Sequence, residues 1–348
     1  METAKEKLLG KTPAELKEIA LKVGLKPFAA GQMAAWLYKK HATAIDEMTD
    51  LSKAARERLD RLYTIGREKP VNEARSTDGT VKYVFRGVPG RDIEAVYIPD
   101  RDRATLCVSS QAGCRMNCAF CMTGRGGFQG NLDVAAILNQ ILSIPESDTL
   151  TNIVFMGMGE PADNAGAVLR AIEVLTSEWG FGWSPKRITV STIGKLDGLK
   201  AFLDRSSVHI AISVHNPYPA ERLGIMPVEK AFPIEKVMET LRGYDFAHQR
   251  RLSLEYTMFA GRNDSLRHAD ALARLLKGTS ARVNLIRFHK IPDFDGAPSD
   301  RAAMERFRDR LNSLGVTATI RASRGEDIMA ACGMLAGASD KSSNTQEQ

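Results

Sequence analysis

The sequence predicts an α/β protein, a partial (βα)6 barrel preceded by a small helical N-terminal domain. From about residue 105, six apolar strand candidates alternate with helix-length segments, a rhythm typical of βα units on a parallel sheet. Six units are fewer than the eight that close a full barrel, so an open or partial barrel fits the count. A doubly wound sheet fits the same periodicity. Residues 1–75, in contrast, carry helical patterns.

The N-terminal segment contains start and stop signals of helices. Thr12 is a candidate helix cap, and Glu15, three residues later, completes a capping box. Gly24 is expected to end this helix. A second segment, FAAGQMAAWLYKKHA, has apolar residues at helical spacing from Phe28 onward. We therefore predict a helical accessory domain over residues 1–75.

Three further segments follow this domain. Residues 76–104 are predicted to form a β connector, because VKYVFR and DIEAVYIP alternate in hydrophobicity. Residues 105–337 are predicted to form the core with a C-terminal extension. Its strand candidates are TLCVSS, NIVFMG, RITVSTI, VHIAISVH, RLSLEYTMF and RVNLIRF, followed by a last helix and strand, DRAAMERFRDRLNSLG and VTATIRAS. Residues 338–348 are polar, and we predict a disordered tail.

Composition and charge limit the classes of function. No apolar run approaches membrane-spanning length and the N-terminus lacks a signal-peptide core, so we expect a cytoplasmic protein without membrane contact. The net charge of +6 permits a polyanionic partner. Residues 1–70 hold 14 Lys/Arg against 10 Asp/Glu, and the candidate phosphate contacts are Lys39, Lys40, Arg56 and Arg58. A solvated helical surface explains the same charges.

Three of the five cysteines lie within eight residues, CRMNCAFC, directly after the first strand candidate. In a reducing compartment, clustered cysteines indicate a metal or catalysis rather than disulfides. Cys114, Cys118 and Cys121 could bind a [4Fe–4S] cluster and leave one iron open to another ligand. A zinc site with a histidine as fourth ligand is the competing interpretation, although His41 and His209 are not in ligand-spaced motifs.

The cysteine spacing resembles that of the radical S-adenosylmethionine (SAM) superfamily. A longer set of motifs resembles, in order and spacing, the RlmN/Cfr family of radical-SAM RNA adenine methyltransferases: RATLCVSSQAGCRMNCAFCMTG, FMGMGEPADN, ITVSTIG, ISVHNP, VNLIRFHKIP and RGEDIMAACGMLAG. The match covers roughly residues 80–337, with a looser match over the helical N-terminus. The resemblance implies a radical-SAM barrel, a [4Fe–4S] cluster, SAM as a cofactor and RNA as the partner.

The resemblance also implies the residues that bind the cofactors. The three clustered cysteines would hold the cluster, and SAM would chelate its open iron. The positions that would contact SAM are Gly159, Glu160, Ser191, Ser213, His215 and His289. Better-known members have Asn-Pro where this chain has His289-Lys290, but a neutral imidazole still offers a donor and an acceptor to SAM. Taken alone, these residues also suit a Gly-rich turn and strand ends.

Three further positions are implied to be catalytic. Cys332 matches the cysteine that carries the methyl group, and Cys107 matches its resolving partner. Glu94 matches a glutamate assigned as proton acceptor. Without the resemblance, both cysteines would be interpreted as small buried hydrophobic residues, and Glu94 as an ordinary strand carboxylate.

The implied reaction is methylation of adenosine C2 in 23S ribosomal RNA, with tRNA as a further candidate substrate. One SAM methylates Cys332, and a second SAM, cleaved at the cluster, generates the radical that activates the S-methyl group. The methyl carbon then joins the adenine, and a disulfide between Cys332 and Cys107 releases the product. An external reductant, such as a flavodoxin or ferredoxin system, restores the thiols. The alternatives are C8 methylation, as in Cfr, and a non-catalytic zinc protein that binds RNA.

Overall fold

A computed structural model describes residues 5–246 and 250–337 of the 348-residue chain. The predicted tail, residues 338–348, lies outside the described residues. The N-terminal region consists of short helices and a two-stranded parallel ladder: β1 (Glu6–Lys7), α1 (Pro13–Lys22), α2 (Ala29–Tyr38), α3 (Lys53–Leu62) and β2 (Tyr63–Thr64).

The predicted capping box opens α1. The backbone amide of Glu15 donates to Thr12 Oγ1 over 3.3 Å, and the backbone amide of Thr12 donates to the Glu15 carboxylate over 2.7 Å. The helix ends at Lys22, and Gly24 follows with a φ of +74°, a conformation that favours glycine. The predicted start and stop of this helix are therefore confirmed.

The β connector and the core share one sheet. The antiparallel strands at its start are β3 (Asn72–Arg75), β4 (Val81–Val88), β5 (Arg91–Asp100) and β6 (Arg103–Cys107). Because β6 also pairs in parallel with the next core strand, the connector strands continue the barrel sheet rather than forming a sheet of their own.

The core then alternates between strands and helices. Its elements are β7 (Gln111–Gly113), α4 (Met122–Arg125), β8 (Phe128–Asn131), α5 (Val134–Leu142), β9 (Asn152–Phe155), α6 (Ala165–Thr176), β10 (Ile188–Thr192), α7 (Leu196–Arg205), β11 (His209–Ser213), α8 (Pro219–Ile225), α9 (Ile234–Arg242), β12 (Leu252–Met258), α10 (Leu266–Leu275), β13 (Arg282–Arg287), α11 (Arg301–Ser313) and β14 (Ala318–Ile320). Short 3₁₀ helices lie at Ile45–Glu47, Ser147–Thr149, Pro161–Asp163, Pro185–Arg187 and Pro227–Lys230.

The strand order confirms the predicted fold class. The sheet runs β14-β13-β12-β11-β10-β9-β6-β5-β4-β3, and every pair from β6 to β14 is parallel. The six predicted strands are β6 and β9 to β13, and β14 adds the strand predicted after the last helix. The order never reverses, which excludes a doubly wound sheet. Residues of the first and last parallel strands, Arg103 and Thr319, line the same cavity, so the sheet curves into a partial barrel.

Two apolar clusters stabilise this arrangement. The larger one includes Leu16 and Met33 of the N-terminal helices together with barrel residues, so these helices pack directly on the barrel. The smaller one covers the carboxyl ends of the strands and includes Phe120, Phe259 and Phe288. None of the helices in the described part of the chain combines the length and the apolarity needed to span a bilayer.

Candidate active site at the carboxyl ends of the strands

One cavity at the carboxyl ends of the parallel strands brings together most of the predicted site residues. We call it the upper cavity. The predicted residues that line it are Cys114, Cys118, Cys121, Gly159, Glu160, Ser191, Ser213, His215 and Cys332. They come from the carboxyl ends of five different strands and from the loops that follow them, which is how parallel barrels assemble a site. The smaller apolar cluster, which includes Phe120, Phe259 and Phe288, borders this cavity and limits contact with water.

The cysteine loop, residues 114–121, is shaped by backbone contacts. It begins after Gly113, where φ is +69° and an added Cβ would lie 1.8 Å from the carbonyl oxygen of Gly127. Glycine is therefore required at this position. The amide of Cys114 donates to the same Gly127 oxygen over 3.0 Å, and the amide of Cys121 donates to the Cys118 oxygen over 3.1 Å. These bonds hold the three cysteines on one wall of the cavity.

The surroundings of the three thiols fit a multinuclear cluster. Burial raises the pKa of Cys114 to about 12 and raises the pKa of Cys118 well above its usual value. Neighbouring cysteines in the same loop raise the pKa of Cys118 further, so the sulfur atoms are close enough to interact. Thiolates so placed require a compensating positive charge, which an iron–sulfur cluster provides.

A single metal ion fits this wall less well. Among residues 5–246 and 250–337, no group of three or more His, Cys, Asp or Glu side chains is arranged to bind a single metal ion. A [4Fe–4S] cluster needs no such convergence, since each thiolate binds a different iron. His41 pairs with Asp148 near the N-terminal helices, and His209 lies at the amino end of its strand. Neither histidine lines the upper cavity, so neither completes a zinc site there.

The glycines of the GMGE turn allow close packing of two loops. An added Cβ on Gly157 would lie 2.7 Å from the Val108 oxygen, and one on Gly159 would lie 2.5 Å from the side chain of Gln111. The amide of Met158 donates to Ser109 Oγ over 2.8 Å. Glycine is therefore required at both positions for the turn to pack against the residues that follow β6.

Glu160 and His215 are buried titratable groups in the cavity wall. Glu160 accepts hydrogen bonds from the amides of Ala162 (2.9 Å) and Ile193 (3.0 Å), and burial raises its pKa to about 7. Burial lowers the pKa of His215 to about 3, so its imidazole is neutral at pH 7. Its Nδ1 accepts from the amide of Thr257 over 2.9 Å, which leaves the proton on Nε2. The site thus offers an acceptor and a neutral donor to a zwitterionic ligand.

Arg222 braces the strand ends behind this wall. Its side chain is fully buried and donates to the carbonyl oxygens of Val214 (3.0 Å) and Ser213 (3.0 Å). Its guanidinium pairs with the buried carboxylate of Glu229. The positive charge of Arg222 also lowers the pKa of Cys118, although burial has the larger, opposite effect. Arg222 therefore both positions the backbone around Ser213 and adds positive charge beside the cysteine loop.

Removing Arg222 is expected to destabilise the protein strongly. Arg222→Leu leaves the Glu229 carboxylate buried without its partner, which lowers the free energy of unfolding by about 3–5 kcal/mol. The matched control is Arg301→Leu, because Arg301 pairs with Glu305 at the surface, and such pairs contribute about 0–1 kcal/mol. Urea denaturation of both variants checks this. Equal losses in the two variants would show that the buried pair has no special role.

The loop that carries Cys332 is attached to the cysteine loop. The amide of Met122 donates to the Gly333 oxygen over 2.8 Å, and Thr123 Oγ1 donates to the Leu335 oxygen. Cys332 faces the upper cavity and is accessible from it. Cys107 is the last residue of β6. Burial and, to a smaller extent, proximity to Cys332 raise the pKa of Cys107 to about 12. All five cysteines are free thiols.

The structure does not bring three of the predicted residues to the upper cavity: Cys107, described above, Glu94 and His289. The carboxylate of Glu94 lies 3.1 Å from Lys82 Nζ and accepts from the amide of Ala336 over 3.0 Å, so it holds the Cys332 loop. His289 is buried, with Nδ1 3.2 Å from the Glu326 carboxylate. Among the described residues that line the cavity, the chain neighbour Phe288 is present instead of His289.

Sequence reasoning missed three polar residues of this region. Arg222 lies in a short helix whose pattern gave no sign of burial. Glu255 faces the cavity from β12, and Arg321 Nη1 lies 3.5 Å from its carboxylate. The polar side chains of alternate inward-facing strand positions could have indicated Glu255, since RLSLEYTMF places Ser253, Glu255 and Thr257 on one face.

Comparison with known proteins gives the same answer over both parts of the chain. Residues 6–65 match the family model described as the ribosomal RNA large subunit methyltransferase N-terminal domain, and residues 108–276 match that of the radical SAM superfamily. The chain is 37% identical to a radical SAM methyltransferase of known structure from Sphaerobacter thermophilus. That match has a TM-score of 0.88 and covers 95% of this chain and 99% of the other.

Curated relatives extend the match along nearly the whole length. A probable dual-specificity RNA methyltransferase RlmN of Parabacteroides distasonis is 59% identical over 95% of this chain and 96% of its own. The dual-specificity RNA methyltransferase RlmN of Anaeromyxobacter dehalogenans is 41% identical over 90% of this chain and 87% of its own. With this identity, the radical-SAM barrel and the clustered cysteines at its carboxyl end, the chain belongs to the RlmN family of radical-SAM RNA methyltransferases.

Proposed function

We propose that this protein methylates C2 of adenosine in 23S ribosomal RNA, with tRNA as a second substrate, through an S-methylated Cys332. The observation that carries the proposal is the position of Cys332. It shares one cavity with the three clustered cysteines, and a second thiol, that of Cys107, is near enough to interact with it electrostatically. Adenine C2 lies between two ring nitrogens and is a poor nucleophile, so a polar attack on SAM is unfavourable. A thiol that carries the methyl group to a radical source avoids this difficulty.

The proposed cofactor sites follow the cavity wall. Cys114, Cys118 and Cys121 hold the [4Fe–4S] cluster. When bound, the cluster and SAM supply a carbon radical able to abstract hydrogen from a methyl group. Glu160 accepts from the ammonium of SAM, and His215 Nε2 donates to an oxygen of SAM. We assign Ser191, Ser213 and Gly159 to SAM contacts as well, since all three line the same cavity.

Cys332 and Cys107 carry out the proposed covalent steps. Cys332 Sγ accepts a methyl group, which then loses one hydrogen atom to the radical, and the resulting carbon radical adds to adenine C2. The ring gives up the C2 proton to Glu94 and one electron to the external redox system, which leaves the carbon as a bridge between Sγ and C2. The Cys107 thiolate then attacks Cys332 Sγ, so an S–S bond forms while the S–C bond breaks, and the released carbon takes up a proton. The disulfide needs two electrons and two protons to return to thiols, which we assign to an external flavodoxin or ferredoxin system. This chemistry suits the reducing cytoplasm, where we place the protein.

Glu94 is proposed to accept the proton that leaves C2, which requires its carboxylate to exchange Lys82 and the loop amides for the substrate. Glu94→Gln keeps an acceptor oxygen for the Ala336 amide but cannot take up a proton. We expect turnover to fall about 10²–10⁴-fold while methylation of Cys332 continues. Mass spectrometry of the protein and single-turnover assays measure the two effects. A role in holding the loop alone predicts that both fall together.

His289 keeps a proposed role in SAM binding at the edge of the site, next to Phe288. Its buried Nδ1 lies 3.2 Å from the Glu326 carboxylate but forms no hydrogen bond with a described residue, so this nitrogen also remains to be satisfied by a ligand. The N-terminal residues 1–75 are proposed to bind RNA. Among the predicted phosphate contacts, Arg56 pairs with Asp46. Arg58 donates to a backbone carbonyl and Lys40 pairs with Asp50 over 3.4 Å, so the exposed Lys39 is the better candidate.

Nucleoside mass spectrometry tests the proposed function. Deleting the gene should remove 2-methyladenosine from 23S ribosomal RNA and from tRNA, and the wild-type gene should restore it. The Cys332→Ala gene is the matched control and should restore neither product. Loss of 8-methyladenosine instead would show that the protein methylates C8 of adenosine. Unchanged nucleosides in both RNAs would refute the proposal.

A further inference from the structure

A second cavity of about 910 Å³ occupies the lower half of the barrel, and we call it the lower cavity. Residues from the first parallel strand, β6, to the last, β14, line it. Six of its lining residues are cationic: Arg103, Lys186, Arg250, Arg251, Arg282 and Arg321. Among the described lining residues, Glu255 is the one carboxylate, and Arg321 lies beside it. The lower cavity therefore carries a large excess of positive charge.

Four of these cations form a ring at the amino ends of the strands. Arg103 begins β6, Arg282 begins β13, and Lys186 and Arg251 precede β10 and β12. All four are exposed, and none forms an ion pair with a carboxylate in the described ranges. Catalytic groups of parallel barrels lie at the opposite end, so a ring of unpaired cations here is not part of the site described above.

The field of this ring acts on a histidine inside it. Burial lowers the pKa of His209, and the charges of Arg251 and Lys186 lower it further. His209 Nδ1 also accepts a hydrogen bond from the Arg251 amide over 2.9 Å. The imidazole is thus kept neutral by its positive neighbours. The lower cavity is an environment that disfavours additional positive charge and favours anions.

The two cavities meet at Met156 and Glu255, close to Cys332 in the upper one. Met156 and Glu255 line both of them, and Arg321 Nη1 lies 3.8 Å from Met156 Sδ and 3.5 Å from Glu255. Burial has the largest effect on the pKa of Cys332 and raises it. The charge of Arg321 lowers this pKa and the charge of Glu255 raises it, so both charges are near the thiol. Cys332 can therefore be approached from below while cofactors fill the upper cavity.

We propose that the lower cavity is the route by which RNA reaches Cys332, with the cationic ring binding the phosphates that flank a flipped-out adenosine. The inference rests on the proposed function. A volume of about 910 Å³ is within the roughly 300–1,000 Å³ of cavities that enclose small ligands, which is enough for an extruded nucleotide. The adenine would enter as far as Met156, and its phosphates would remain at the mouth with Lys186 and Arg282.

The N-terminal domain lies at the same end of the barrel. His41 contacts Asp148 over 3.2 Å, in the segment that precedes β9. Its ring also packs on Phe181, in the segment that precedes β10, with 5.4 Å between ring centroids. The exposed Lys39 and Lys40 are thus next to the amino-end mouth. One continuous basic surface can contact an RNA stem while the target nucleotide enters the barrel.

The test compares Lys186→Gln/Arg282→Gln with Lys200→Gln/Arg306→Gln. The control pair removes the same charge from exposed positions of α7 and α11, on the outside of the barrel. For the ring variant we expect KM for an RNA hairpin to rise at least about tenfold at 150 mM salt with kcat retained. The slope of log Kd against log salt should fall by about 1.4–1.8, the value for two lost phosphate contacts. SAM cleavage without RNA should be unchanged.

The outcomes separate this inference from the proposed function. A wild-type enzyme that binds but never methylates RNA defeats the proposed function, while RNA affinity and salt slope still test the ring. Equal RNA affinity and slope in ring and control variants would overturn the RNA route. Loss of inorganic phosphate binding with unchanged RNA affinity would make the ring a site for small anions and also overturn it. Arg251→Gln provides an independent ring variant if the double substitution does not fold.

Discussion

A Cys107→Ala variant is expected to accumulate as a covalent protein–RNA adduct, whereas Cys332→Ala gives neither adduct nor methyladenine. The two cysteines act at different stages. Cys332 faces the upper cavity and accepts the methyl group before any bond to RNA exists. Cys107 lies near Cys332 at the end of β6 and acts only after the carbon bridge has formed. Without its thiol, the S–C bond at Cys332 has no attacking nucleophile.

Denaturing gels of the two variants, with and without nuclease treatment, measure the adduct. Cys107→Ala should migrate with RNA attached until nuclease is added, and it should retain methylated Cys332. If the two cysteines only fill core space, both substitutions cause modest losses of stability and no covalent species. Normal turnover by Cys107→Ala, without adduct, would remove the resolving role from this residue.

Adduct release by the wild-type enzyme is expected to accelerate with pH. The attacking species is a thiolate, and burial raises the pKa of Cys107 to about 12, so the thiol is protonated at pH 7. At every pH well below this pKa the thiol form predominates, so the thiolate fraction grows about tenfold for each unit by which the pH rises. Pre-formed adduct mixed at pH 7 and at pH 9 shows the effect. A rate independent of pH would mean that release does not depend on the Cys107 thiolate.

Local sequence signals predicted the fold well where they act over short distances. The capping box of Thr12 and Glu15 needs only one helical turn, and both of its hydrogen bonds are present. The six βα units were visible because apolar strand segments alternate with segments of helix length. The order of the strands in the sheet could not be predicted in the same way. Two topologies fit the periodicity, and only the strand pairing from β6 to β14 separates them.

The site was harder to predict where chain segments distant in sequence meet. Family motifs identified nine of the residues that line the upper cavity, but Glu94 and His289 face other partners. Glu94 interacts with the loop around Ala336, 242 residues away, a contact that no local pattern encodes. Arg222 carries a charge that usually indicates a surface position, and its burial depends on Glu229 and on carbonyl groups of neighbouring strands.

The largest loss of cofactor chemistry is expected for Cys118→Ala. Anaerobically reconstituted wild-type protein should be brown, with about four irons and four sulfides, because three thiolates can hold a [4Fe–4S] cluster and leave one iron open. Cys118 is flanked by Cys114 and Cys121 on the same wall, and neither His41 nor His209 reaches the upper cavity. His215 does line this cavity, but its Nδ1 already accepts from the Thr257 amide and we assign its Nε2 to SAM, so we expect colour and SAM cleavage both to disappear.

Cys332→Ala is the matched control for this substitution, because it removes a thiol from the same cavity without removing a cluster ligand. It should keep the iron, the colour and SAM cleavage in the absence of RNA. Iron and sulfide analysis with visible absorption distinguishes the two variants. If wild-type protein bound one zinc and no iron under these conditions, a single zinc ion would balance the charge of the thiolates. The assignment of the three cysteines to an iron–sulfur cluster would then be wrong.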